Sequence, residues 1–176
     1  MIYYGRNPYF DKYMYLTQQN QPIMPQTPST MPVDIYTYPQ NYPAALELMS
    51  EAISTEINGR IFYVYFKSLA PTQEEKDIIQ EIMDDAVKHF GLFRQIYYEL
   101  TGQIPEMKPA GDLVKPETYC DAIKQLILFE IEIIKAYSNI LYALQDRRHI
   151  NMLIEIISDE QNHINYYILL LSNNKC

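Results

Sequence analysis

The sequence predicts an all-α fold, a four-helix bundle made of two helical hairpins and a crossover, behind an extended N-terminal arm. Three observations predict it. Four stretches place apolar residues at spacings of three and four, the period of a helix face turned toward a core. The prolines beyond residue 42 all fall before or between those stretches, never inside one. The last two stretches repeat the first two at a constant offset of 74 residues. An apolar content of 48% in 176 residues suffices for one such core.

The arm is residues 1–42 and the bundle residues 43–176. The arm holds 8 of the 17 tyrosines and 6 of the 11 prolines. Its stretch from Gln18 to Pro32 has no helical or strand period, and its prolines favour extended backbone. Such composition suits a disordered tail. Tyrosine, with much apolar area and no charge, equally suits an arm that docks on the bundle or on a neighbouring subunit. Arg6 and Lys12 balance Asp11 and Asp34, so the whole net charge of -8 falls on the bundle.

The first helix carries the stripe Leu46, Met49, Ile53, Glu56, Gly59, Tyr63, Phe66 and Ala70. Ala70-Pro71-Thr72 breaks it, with Thr72 placed to cap the second helix and Glu74 and Glu75 favourable in its first turn. The second stripe is Ile79, Ile82, Ala86, His89, Phe93, Ile96 and Leu100, and Gly102 is a natural stop. Residues 103–116 form the long connection, and Pro116-Glu117 is expected to open the third helix. Its stripe is Ile123, Leu126, Glu130, Ile133, Tyr137, Ile140 and Leu144. Asp146-Arg147-Arg148 turns the chain into the fourth, with Leu153, Ile156, Glu160, His163, Tyr167 and Leu170. Each helix should run about 25 residues, roughly 38 Å.

The offset of 74 aligns Glu56 with Glu130, Tyr63 with Tyr137, Asp85 with Asp159 and His89 with His163. Five ionisable residues, Glu56, His89, Glu130, Glu160 and His163, occupy stripe positions where a core favours Leu or Ile. A buried carboxylate costs several kcal/mol (about 3–5 when unpaired) unless something neutralises it. No Lys or Arg shares the stripes, since Lys88 and Lys135 fall beside them. A hard cation would solve the problem. Glu160 and His163 form an E-x-x-H pair on one helix face. One Glu from each of two helices, with E-x-x-H from the others, is a di-iron bundle pattern.

The segments YPQNYPAALELMSEAISTE (38–56), LAPTQEEKDII (69–79), DDAVKHFGLFRQIYYELTG (84–102), FEIEIIKAY (129–137) and SDEQNH (158–163) resemble the ferritin-like superfamily. They most resemble small rubrerythrin-type proteins of spore-forming bacteria, over about residues 38–171. The resemblance implies a ferritin-like bundle with Glu56, His89, Glu130, Glu160 and His163 as metal ligands. It implies two ions of iron, or manganese, acting on O2 or peroxide or in iron handling. No C-x-x-C pair is present, so the rubredoxin-like centre of full rubrerythrins is expected to be lacking. Electrons would then come from an external donor.

One position departs from the pattern. The second E-x-x-H would place Glu three residues before His89, where this chain has Ala86. Asp85 is about 100° away around the helix and corresponds to Asp159. Those two aspartates could orient the histidine rings from behind. With a bridging carboxylate lost, two ions with solvent in the gap, one ion, or none are all open. Tyr63 and Tyr137 either line the metal site or are packed core tyrosines with bonded hydroxyls.

Cys120 and Cys176 lie 28 residues on either side of the turn near residue 148, so they share one end of the bundle. They are two free thiols in a reducing cytoplasm, or a disulfide formed somewhere oxidising, such as a spore surface. The acidic charge argues against nucleic acid as a partner. No apolar run reaches the roughly 18 residues of a membrane span. Residues 1–11 lack a leader pattern, which points to a cytoplasmic protein. A homo-oligomer is expected, assembled through the arm. Two functions follow: a metal-binding oxidoreductase, or a structural protein, for example spore-associated, that keeps the bundle while its site decays.

Overall fold

The computed structural model describes residue 36, residues 38–109 and residues 115–176. The expected docking of residues 1–35 lies outside these. Four helices form, and no strand is found among the described residues. They are α1 (Tyr42–Leu69), α2 (Gln73–Thr101), α3 (Tyr119–Leu141) and α4 (Arg147–Asn173). Their ends follow local chemistry. Pro43 pre-sets the first turn of α1. The Thr72 hydroxyl accepts from the Glu75 amide at 3.2 Å. Gly102 ends α2 in the left-handed region at φ 70°, where its amide reaches Tyr98 O. Asp146 accepts from the amides of Arg148 and His149.

One boundary differs from expectation. Thr118, not Pro116, precedes α3, and its hydroxyl accepts from the Asp121 amide at 3.1 Å. A side-chain cap satisfies a free helical amide, whereas proline merely lacks one.

α1 packs on α2 and α3 on α4, and the hairpins meet through α1 against α3 and α2 against α4. Both meetings are antiparallel, because Tyr63 and Glu56 of α1 reach Glu130 and Tyr137 of α3, and His89 and Asp85 of α2 reach Asp159 and His163 of α4. The end of α2 and the start of α3 therefore lie at opposite ends of the bundle. The connection must run its length, and its described residues lie along α1. Lys108 binds Ser54, Asn58 and Glu51, and further on Pro116 O accepts from the Tyr65 hydroxyl.

Nearly all the predicted stripe residues are buried, with Leu46, Gly59 and Leu100 half-buried at the edges. They form two apolar clusters. Phe66, Ile79, Ile82, Ile123, Leu126, Tyr167 and Leu170 belong to one. Met49, Ile53, Phe93, Ile96, Ile133, Tyr137, Ile140 and Ile156 belong to the other. A layer of ionisable groups lies between them. Cys120 and Cys176 are joined by a disulfide, with Cα atoms 5.6 Å apart. The free-thiol alternative is thereby corrected: the start of α3 and the end of the chain converge closely enough to bond.

Candidate metal centre

Each helix contributes one buried member or pair to the layer between the clusters. α1 supplies Glu56, α2 His89, α3 Glu130, and α4 Glu160 with His163, all under 8% exposed. One helical turn separates Glu160 and His163, so both reach the same point.

Glu160 is the centre of the arrangement. Its Oε1 lies 3.0 Å from His89 Nδ1 and its Oε2 lies 2.8 Å from His163 Nδ1. The far nitrogen of each ring is held by the other helix of the α2–α4 pair. His89 Nε2 is 3.1 Å from Asp159 Oδ2, and His163 Nε2 is 3.1 Å from Asp85 Oδ2. This crossed pairing obeys the 74-residue repeat. Lys88 closes the outside, with its ammonium 3.1 Å from Asp85, 2.7 Å from Asp159 and 3.4 Å from Glu155.

The tyrosines cross in the same way between α1 and α3. Tyr63 donates to Glu130 Oε1 at 3.1 Å and Tyr137 to Glu56 Oε1 at 2.5 Å. The sequence marked Tyr167 only as a core residue, yet its hydroxyl stands 3.4 Å from both Tyr63 and Glu130. The available signal was a break in the repeat: the equivalent of Tyr167 is Phe93, whose ring packs on Tyr137 at 4.7 Å.

Proton affinities record the crowding. Burial, reinforced by the Glu160 charge, pushes the Glu56 carboxyl up to about 8 and raises Glu130 well above the usual range. Burial alone would raise Glu160, but hydrogen bonds from His163 and His89 outweigh it and hold Glu160 down to about 2. Burial would lower both imidazoles. Their bonds to Glu160 and the surrounding carboxylates overcome it and carry each up to about 9. Without a cation, protons do the neutralising.

The residues suit a pair of adjacent cations. Glu56, His89 and Glu160 bring one ligand atom each within 4.8 Å of one another, and so do Glu130, Glu160 and His163. The two groups share Glu160. Each ring donates from Nε2 to an aspartate, which would leave its Nδ1 lone pair facing Glu160, an arrangement that needs a proton or a metal between them. Glu130 Oε2 is buried and has no hydrogen-bond partner. Ala86, 4% exposed, lines a cavity of about 20 Å³ together with Glu56, Glu130, Glu160 and His163. The missing side chain has left a space rather than a repacked core.

Comparison with curated proteins finds no match. The family model described as Rubrerythrin matches residues 47–171, which contain every stripe residue but Leu46 and every member of the layer. The ferritin-like bundle and its ionisable layer thus have a single source: the chain belongs to the rubrerythrin family.

Proposed function

We propose that this protein binds two divalent cations side by side, iron first and manganese as the alternative, for chemistry on O2 or peroxide. One observation carries the reading: a single buried carboxylate, Glu160, faces an imidazole Nδ1 with each of its oxygens. Glu56 and His89 would hold one cation, Glu130 and His163 the other, with Glu160 spanning both. Bound iron would supply the redox chemistry. Asp85 and Asp159 keep the Nε2 protons outward so that Nδ1 faces the cations. Tyr63 and Tyr137 fix the terminal carboxylates, and the flanking apolar clusters exclude water. The reading includes an external electron donor and a homo-oligomer assembled through residues 1–42.

The test is metal content per chain by mass spectrometry, after anaerobic iron loading and desalting. Close to two irons supports the reading and close to none rejects it. Ala86→Glu should raise both iron binding and oxidase activity.

Ala86 also favours a second reading, a structural protein on a retired site. The Cys120–Cys176 disulfide accords with an oxidising place such as a spore surface, over a reducing cytoplasm. Negligible metal, with oligomers that fall apart when residues 1–40 are deleted, would select it. An unchanged size by light scattering after that deletion would reject it.

A further inference from the structure

We propose that the cavity beside Ala86 binds a small monocarboxylate, of formate size, in place of the absent side-chain carboxylate. The proposal rests on the two-cation reading above and names a further ligand of that site.

The repeat places residue 86 opposite Glu160, and the structure has a methyl group there with a cavity beside it. A volume of about 20 Å³ admits at least one water-sized group. Ile82, Ile133 and Phe129 form apolar walls that leave little room for a longer acid. Thr55, Gly59 and Phe129 are the half-buried members of the lining and mark its mouth, between α1 and α3.

Charge supplies the second argument. Two divalent cations exceed the buried Glu56, Glu130 and Glu160 by one positive charge. Asp85 and Asp159, offset by Lys88, balance it only from behind the histidines at the partly exposed rim, so inside the layer it has no direct anionic contact. Such a charge is costly, and a monoanion removes it. Hydrogen bonding supplies the third: Glu130, which lines the cavity, has a buried oxygen that accepts no bond. A neighbouring cation would give that oxygen its partner, and the cation in turn needs a further oxygen ligand on the Ala86 side. No Lys or Arg lines the cavity, so the anion has no attraction without the cations. The two must bind together, each tightening the other.

The experiment titrates Co(II) into the metal-free full chain by calorimetry and visible absorption. One series contains formate and the other chloride at equal ionic strength. Saturating formate should tighten cobalt binding about tenfold and change the absorption bands. Ala86→Glu, which carries its own carboxylate, should bind cobalt tightly in chloride and lose the formate response. If that variant does not fold, the wild-type pair of titrations still decides. Equal affinity and equal spectra in both salts overturn this inference alone. No cobalt bound in either salt overturns the two-cation reading and this inference with it.

Discussion

The Tyr137 hydroxyl on α3 donates to Glu56 Oε1 on α1 at 2.5 Å, while Tyr63 on α1 returns the bond to Glu130 on α3. Each hairpin thus supplies the donor for the other's buried carboxyl. Removing a donor while its acceptor stays buried costs about 1–3 kcal/mol. Tyr137→Phe should lower the urea midpoint accordingly. It should also weaken cobalt binding at neutral pH, because that bond favours the charged form of Glu56. A variant as stable as the parent would show that Glu56 finds another partner.

Glu160 and Glu130 should respond differently to the same isosteric change. Glu160 is the ionised partner of two imidazoles, so Glu160→Gln leaves buried charge uncompensated, at a cost of about 3–5 kcal/mol. Burial raises Glu130 and favours its neutral form in the metal-free state, so Glu130→Gln should change metal-free stability by under about 1 kcal/mol. Both should abolish binding of the second cation. Denaturation of the two metal-free variants side by side checks the contrast, and equal losses would remove Glu160 from the centre of the layer.

Cation binding should strengthen as pH rises. His89 and His163 hold their protons up to about 9, and Glu56 up to about 8, and each must release its proton to serve as a ligand. Calorimetry in buffers of different ionisation enthalpy should register proton release at pH 7. Metal-free stability runs the other way. A histidine raised from 6.5 to about 9 contributes fully below 6.5, and its contribution is lost as pH climbs through 9. Glu56, raised from 4.5 to about 8, has the same sign. The thermal midpoint of the metal-free protein should therefore fall between pH 6.5 and 9, and a rise would contradict the protonated layer.

The Cys120–Cys176 bond closes a loop with a sequence separation of 56. A loop of that length restricts the unfolded chain by about 4 kcal/mol. Cys176→Ser should lose most of that in denaturant. On a non-reducing gel the parent should migrate as a compact monomer, and a covalent dimer would show that the bond forms between chains instead.

The bundle was legible because its helices are long and their apolar period is interrupted only by residues that are themselves informative. Glu56, Glu130, Glu160 and the two histidines stood out as ionisable groups in apolar stripes, and they converge. Asp85 and Asp159 were legible through the repeat as a pair, and each lies 3.1 Å from a histidine Nε2. Tyr167 was not, because a tyrosine in a stripe looks the same whether its hydroxyl is bonded or only packed. The start of α3 was misplaced because Pro116 is a strong signal of helix onset, while the Thr118–Asp121 cap depends on backbone geometry at short range. His149, buried and 2.7 Å from Glu99, gave no sign in the sequence, since its partner comes from the far end of α2.

The crossed bonds also bear on how the chain reaches this state. Tyr63–Glu130, Tyr137–Glu56, His89–Asp159 and His163–Asp85 all run between hairpins, whereas Glu160–His163 and Lys88–Asp85 each lie within one helix and Tyr167–Glu130 within one hairpin. Either hairpin alone would carry its share of the acids and imidazoles without their counterparts. An isolated half is therefore a poor folding unit, although its contacts are local enough to form early. Consolidation waits for docking, which should make unfolding a single cooperative transition. Amide exchange in α1 and α4 should then report one shared opening free energy.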